Sequence, residues 1–227
     1  MFIDSYYLIL IVPTLLFSLY AQFKVKSTFS KFSEIETRRR ITGAQAAAIL
    51  LKNNGLSNIE VNKVSGDLTD HYDPSKKVLR LSEPVFSKTS VSAVGVAAHE
   101  TGHAIQDKLH YGPLVLRSTL VPVANIGSMA GPYLAMAGLI FGINILLNLG
   151  IIFFGVAVLF YLVTLPVEID ASRRALILLQ QNAILSEEEL QGAKKVLTAA
   201  ALTYIASALT AVASLIRLIL LAKDRRR

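Results

Sequence analysis

The residues best equipped for chemistry in this 227-residue chain lie in one short run, His99-Glu100-Thr101-Gly102-His103. On a helix, residues four apart share a face, so two histidines at this spacing can ligate one ion. Glu100, one position along, does not ligate. It is placed to take a proton from an attacking water and to pass it to a leaving amine. A metal ion held by the histidines lowers the pKa of the water towards neutrality and polarises a carbonyl. Small residues surround the run (Ala97, Ala98, Gly102, Ala104), as close packing of a metal site needs. The plainer alternative is a core helix that happens to carry two histidines.

A catalytic zinc usually has three protein ligands and one open position. The chain has no cysteine and only four histidines, His71, His99, His103 and His110, so a downstream carboxylate is the natural third ligand. The acids after the motif are Asp107, Glu168, Asp170, Glu187 to Glu189 and Asp224. Asp107 shares the His103 face but would have to curl back past the ion. Glu168 and Asp170 follow a long apolar stretch and Pro166, where an acid is costly unless paired or metal-bound. The expectation is one Zn2+ per chain on His99, His103 and Glu168. The alternative is that Glu168 and Asp170 pair with Arg173 and Arg174.

Two further segments have a claim. His71, before Tyr72-Asp73-Pro74, could stabilise an oxyanion or touch substrate. A local turn is the preferred reading, because Asp-Pro favours turns. Residues 76–81 read as a strand, and Lys77, Val78, Leu79 and Arg80 could hold an extended peptide through backbone hydrogen bonds. An ordinary internal strand is the alternative.

The elements that must position these residues are of two kinds. Hydrophobic residues make up 53% of the chain and charged ones 17%, against about 45–50% and about 25% in soluble domains. The excess is concentrated in residues 5–23, 116–141, 146–166 and 197–222, each roughly long enough to cross a bilayer. Between them a polar region predicts a helix over 42–54 stopped by Gly55, strands over 59–64 and 77–81 around a turn-rich 66–75, and a helix over 91–109 capped at Thr89-Ser90. Ser186 with Glu189 forms a capping box. Ala206, Thr210 and Ser214 recur at four-residue intervals in the last span, which permits close helix packing in lipid. The organisation expected is an N-terminal transmembrane anchor (1–23), a catalytic domain with the zinc helix (24–113), two transmembrane helices (114–166), a third-ligand helix and capped helix start (167–196), and a C-terminal transmembrane helix with a basic tail (197–227).

The net charge of +7 sits beside the apolar segments, which points to an anionic lipid surface and not to nucleic acid. No Lys or Arg precedes the first apolar run and Asp4 lies in front of it, so an uncleaved anchor is expected. Lys24, Lys26, Lys31 and Arg38 to Arg40 place the region after it on the cytoplasmic side. Four spans then leave Lys223 and Arg225 to Arg227 outside, against that rule. The alternative is that the last apolar segment does not cross.

The runs His99-Glu100-Thr101-Gly102-His103-Ala104-Ile105-Gln106, Pro166-Val167-Glu168-Ile169-Asp170-Ala171-Ser172-Arg173-Arg174 and Leu68-Thr69-Asp70-His71-Tyr72-Asp73-Pro74 together resemble the YugP-like neutral zinc metallopeptidases of bacterial membranes. That group is broadly similar to the HtpX-like membrane proteases, with a gluzincin arrangement of two His and a downstream Glu. The resemblance spans nearly the whole chain. It implies a mainly α membrane protein, in which a gluzincin-like α+β zinc-peptidase domain with a small sheet is combined with about four transmembrane helices. It also implies that Glu168 is the third ligand and that Asp170 orients a ligand or pairs with Arg173. HtpX-like proteins carry Glu-x-x-x-Asp here, and this chain departs from them with Ser172 at the last position. The expected activity is hydrolysis of membrane or membrane-adjacent polypeptides at the plasma membrane of a bacterium, with a homo-oligomer left open. A catalytically silent zinc-binding scaffold is the alternative, and the presence of Glu100 argues against it.

Overall fold

The computed structural model describes residues 4–225, which fall into two compact units. The elements in chain order are a π-helical turn at Tyr7–Ile11, α1 (Val12–Ser33), α2 (Gly43–Asn53), β1 (Glu60–Val64), β2 (His71–Asp73), β3 (Val78–Ser82), α3 (Glu83–Phe86), α4 (Val91–Lys108), α5 (Gly112–Phe141), α6 (Asn144–Gln181) and α7 (Glu187–Arg225). The architecture is mainly helical with one small sheet. Among the described residues, four helical stretches are long and apolar enough to cross a membrane: Tyr7–Ser33, Gly112–Phe141, Asn144–Gln181 and Glu187–Arg225.

One unit comprises residues up to 22, 112–166 and from 203 on. Its core is Ala135, Leu147, Phe154, Ala157, Val158, Ala211 and Leu218. The helices α5 and α6 approach closely through glycine. A Cβ on Gly131 would meet the Phe154 amide nitrogen at 2.8 Å, and one on Gly150 would run into the Ala135 backbone. Without a hydrophobic drive between helices in lipid, such close packing supplies the association energy. Large apolar side chains point outwards, among them Ile9, Met129, Tyr133, Phe141 and Ile152. A water-facing surface of that kind would be a liability, and lipid removes it. Arg217 is neutralised by Asp4 at 2.5 Å and lies over the Tyr7 ring, as a cation in an apolar helix requires.

The other unit comprises residues 23–111 and 167–202. Thr42 caps α2 by accepting from Gln45 N at 3.2 Å, while Gln45 returns a bond to the Thr42 amide. Ser90 caps α4, accepting from Ala93 N at 3.3 Å. The Ser186–Glu189 pair opens α7, with the Ser186 amide donating to Glu189 at 2.7 Å. Leu50, Leu51, Leu79, Leu81, Val94 and Leu179 are fully enclosed.

The sheet order is β1-β3-β2, with β1 parallel and β2 antiparallel to β3. Within the turn-rich stretch His71–Asp73 form a short edge strand, paired with residues 78–80, and the turn that Asp-Pro announces follows it at residues 74–77. Three residues are too few for an alternating pattern to announce itself. The strand expected to receive a peptide is the middle one, and Val78, Leu79 and Arg80 have both backbone edges occupied. Lys77 lies outside it, with φ +52° in the preceding turn. A peptide adding by backbone pairing needs an outer strand. The helices differ from expectation too. Pro166 does not end α6, which runs unbroken from Asn144 to Gln181. The proline removes one donor, a loss that membrane helices tolerate.

Asp107 is occupied structurally. It accepts from the Tyr72 hydroxyl at 2.7 Å and from Lys77 at 2.5 Å, tying β2 and its turn to α4. Burial works against its charge, but Lys77 and Tyr72 prevail and hold its carboxyl below the ordinary range. A carboxylate with a depressed folded pKa stabilises above its unfolded pKa and loses that contribution as pH falls through the folded value. Asp107→Asn is expected to lower stability by up to about 1 kcal/mol at neutral pH. The difference should begin to shrink below about pH 4 and vanish only once the pH lies below the depressed folded value. Circular-dichroism melts of the detergent-solubilised protein across pH check this, and a gap that persists unchanged at low pH counts against it.

Candidate metal centre

Two helices build the centre. α4 carries His99, Glu100, His103 and Gln106, and α6 carries Glu168, Asp170, Ser172 and Arg174. What lets them meet is Gly102, whose missing side chain is replaced by the α6 backbone. A Cβ there would lie 2.6 Å from the Ala171 carbonyl oxygen.

The Nε2 atoms of His99 and His103 lie 3.2 and 3.5 Å from one Glu168 oxygen. One ligand atom from each of the three residues falls within 4.8 Å of the others. Zinc bonds of about 2.0–2.2 Å in a tetrahedron separate donor atoms by about 3.3–3.6 Å, so the spacing suits a metal. The charge suits it as well, because Glu168 and Glu100 together offset a divalent cation. Burial disfavours charge on His103, yet Glu168 and Glu100 outweigh it and raise its pKa above the ordinary value. The pocket favours positive charge.

Each histidine is also held from behind. The His99 Nδ1 lies 3.1 Å from the Ser172 hydroxyl, and the His103 Nδ1 lies 3.0 Å from the Gln106 side-chain oxygen. The Gln106 amide is oriented in turn. Its Nε2 donates to the Val167 carbonyl at 2.8 Å and to Asp170 at 2.9 Å. With that nitrogen committed, its oxygen faces His103 and accepts from Nδ1–H, which leaves Nε2 with a lone pair for a cation. Asp170 also accepts from Arg174 at 2.5 Å. The chain of contacts is therefore Arg174 to Asp170 to Gln106 to His103. Partners of this kind fix the tautomer and ring plane of a ligating histidine.

Glu100 is 7% exposed, and its charge acts on His103, three residues on in the same helix. A carboxylate taken largely out of water costs stability, and beside the two histidines its charge suits a bound cation.

Other expected residues lie elsewhere. Arg173 is exposed, and Arg174 takes the Asp170 partnership expected of it. His71 is exposed on β2, with Nδ1 2.8 Å from the Thr69 carbonyl and Nε2 3.3 Å from Arg80. The carbonyl can only accept and the guanidinium can only donate, so Nδ1 carries the proton and the ring has no N–H left for an oxyanion. Arg80 pairs with Asp73 at 2.9 Å. Two residues that the sequence reading did not assign a role, Gln106 and Ser172, sit against the ligand pair. Their signals were present as spacing: Gln106 is three residues after His103, and Ser172 is four after Glu168.

Residues 7–223 match the protein family described as "Putative neutral zinc metallopeptidase". A relative from Bacillus subtilis (strain 168), described as "Putative membrane protease YugP", is 46% identical over 215 residues, covering 95% of this chain and 96% of the relative. No solved structure matches. The family match runs through all four apolar helices and the His99–Glu168 centre, and the chain belongs to this neutral zinc metallopeptidase family.

Proposed function

We propose that the chain is a membrane-embedded zinc endopeptidase that cuts membrane or membrane-adjacent polypeptides. His99, His103 and Glu168 hold one zinc per chain, and Glu100 is the general base. The observation that carries this reading is Glu100, largely buried on the helix whose two histidines converge on Glu168. The relative described as a membrane protease supports it.

When bound, zinc supplies a Lewis acid that polarises the scissile carbonyl and acidifies a water. Glu100 takes the proton from that water as the oxygen attacks, then delivers it to the departing nitrogen. Its place on α4 beside the two histidines lets the proton move between two positioned partners. Gln106 and Ser172 hold the histidine rings still during the reaction. An extended substrate strand pairs with an outer edge of the sheet, with β2 the nearer choice because Tyr72 ties it to α4. The Lys and Arg residues between Lys24 and Arg40 favour a cytoplasmic position for the centre, in the plasma membrane of a bacterium.

The test is elemental analysis and peptide hydrolysis on the detergent-purified protein. One zinc per chain is expected. Hydrolysis of an unfolded polypeptide such as casein should stop on chelation and return with added zinc. Hydrolysis that continues in the stripped protein, or failure to take up zinc on reconstitution, overturns the proposal.

A further inference from the structure

A groove of about 530 Å3 lies between the end of α1 and the start of α7, wholly within the unit that carries the metal centre. Its walls are two helical stripes. Lys24 and Lys31 stand seven residues apart on α1, and Lys194 and Lys195 face them from α7. Phe32 and Leu202 line the same groove. Among the described residues, none of these four ammonium groups has a carboxylate partner, although Glu187 to Glu189 begin the same helix. Glu188 and Glu189 are engaged by Arg38, and Glu187 accepts from Gln191.

Lys31 lies over the Phe32 ring at 6.0 Å, which does not neutralise it, so four cations without a carboxylate share one groove and an anion relieves their repulsion. The position of the lysines says which anion. Lys24 directly follows the apolar run that ends at Phe23, and Lys194 and Lys195 come just before the run that starts at Leu197. Lys31 is two helical turns from Lys24, about 10 Å along the axis, enough to cross the headgroup layer of a bilayer, about 5–8 Å deep on each side. The cations therefore gather where two spans leave the hydrocarbon, and the apolar residues beside them can take a chain. A free phosphate would use the lysines and leave Phe32 and Leu202 idle. An acidic peptide would not need the groove to coincide with the ends of two spans. Basic clusters beside spans attract anionic lipids. Here they are folded into a concave site.

We infer that the groove lined by Lys24, Lys31, Lys194 and Lys195 is a binding site for an anionic phospholipid, its phosphate held by the lysines and an acyl chain laid against Phe32 and Leu202. The site is independent of the peptidase reading.

The experiment is native mass spectrometry of the full chain released from detergent with phosphatidylglycerol, phosphatidylcholine or inorganic phosphate added. Phosphatidylglycerol is expected to stay bound and phosphatidylcholine to be lost. Inorganic phosphate in excess should not displace the lipid. Lys31→Glu/Lys194→Glu should weaken phosphatidylglycerol binding by at least tenfold, each lysine near an anionic surface being worth about fivefold. Lys31→Gln/Lys194→Gln, which adds no repulsion, should weaken it less, with circular dichroism and elution like the wild type. Equal retention of both lipids, displacement by phosphate, or full retention by the Gln variant overturns the site.

Discussion

Glu100→Gln is expected to lower peptide hydrolysis by about 10²–10⁴-fold, the range a positioned general base contributes, with zinc content unchanged. The substitution is nearly isosteric and removes only the basic oxygen. Glu100 is largely buried, so a neutral amide in its place costs less desolvation than the carboxylate. The variant should melt no lower than the wild type. That separates a chemical role from a structural one, because a residue kept for packing or ligand support would lose stability or metal when changed. The measurements are turnover of an unfolded polypeptide, elemental zinc and a circular-dichroism melt on one preparation. Hydrolysis within tenfold of the wild type would falsify the role of base. Loss of zinc would reassign Glu100 to the metal's support.

What could be read from the sequence follows from what local spacing controls. His99 and His103 share a face because helical periodicity requires it, and their burial follows from the small residues around them. The preference for Glu168 came from the cost of placing an acid beside a span. The 3.2 and 3.5 Å separations did not, since they depend on how α4 seats against a helix some seventy residues away. For the same reason Gln106 was legible as a motif residue but not as the bridge to Val167 and Asp170. Local rules also fell short in identifiable ways. Asp-Pro marked a turn that is present at residues 74–77, where Asp73 accepts from Ser75 N and Lys76 N, but it could not show that tertiary pairing makes His71–Asp73 a strand. The apolar run ending at Pro166 was divided from the third-ligand helix at 167, where one helix continues through both, because in a long apolar helix the neighbouring bonds outweigh one missing donor. A strand pattern over 77–81 could not say whether its edges were free. That is a property of the sheet, and β1 and β2 occupy both.

Gly102→Ala is expected to cost the protein its metal even though all the proposed ligands remain. Two effects oppose each other. Alanine is the better helix former, by about 1 kcal/mol inside a helix. Against this, the added Cβ would lie 2.6 Å from the Ala171 carbonyl oxygen and 3.2 Å from the adjoining carbonyl carbon and Cα. These are backbone atoms and cannot rotate aside, so α4 must move away from α6. Overpacking of this sort costs about 1–3 kcal/mol, so the strain wins. The movement opens the gaps between Glu168 and the two histidines, and with them the fit to one ion. Zinc affinity, measured by competition with a chromogenic chelator, should fall by about 10–100-fold, the loss typical when ligand support is disturbed. Glu168→Ala sets the scale, because it removes a donor outright without crowding the helices. It should lose at least as much affinity and, unlike Gly102→Ala, should not lower the melting temperature through strain. Unchanged zinc affinity in Gly102→Ala, with melting as in the wild type or higher, would show that α4 and α6 have slack. The close seating of the two helices would then not be what sets the donor spacing.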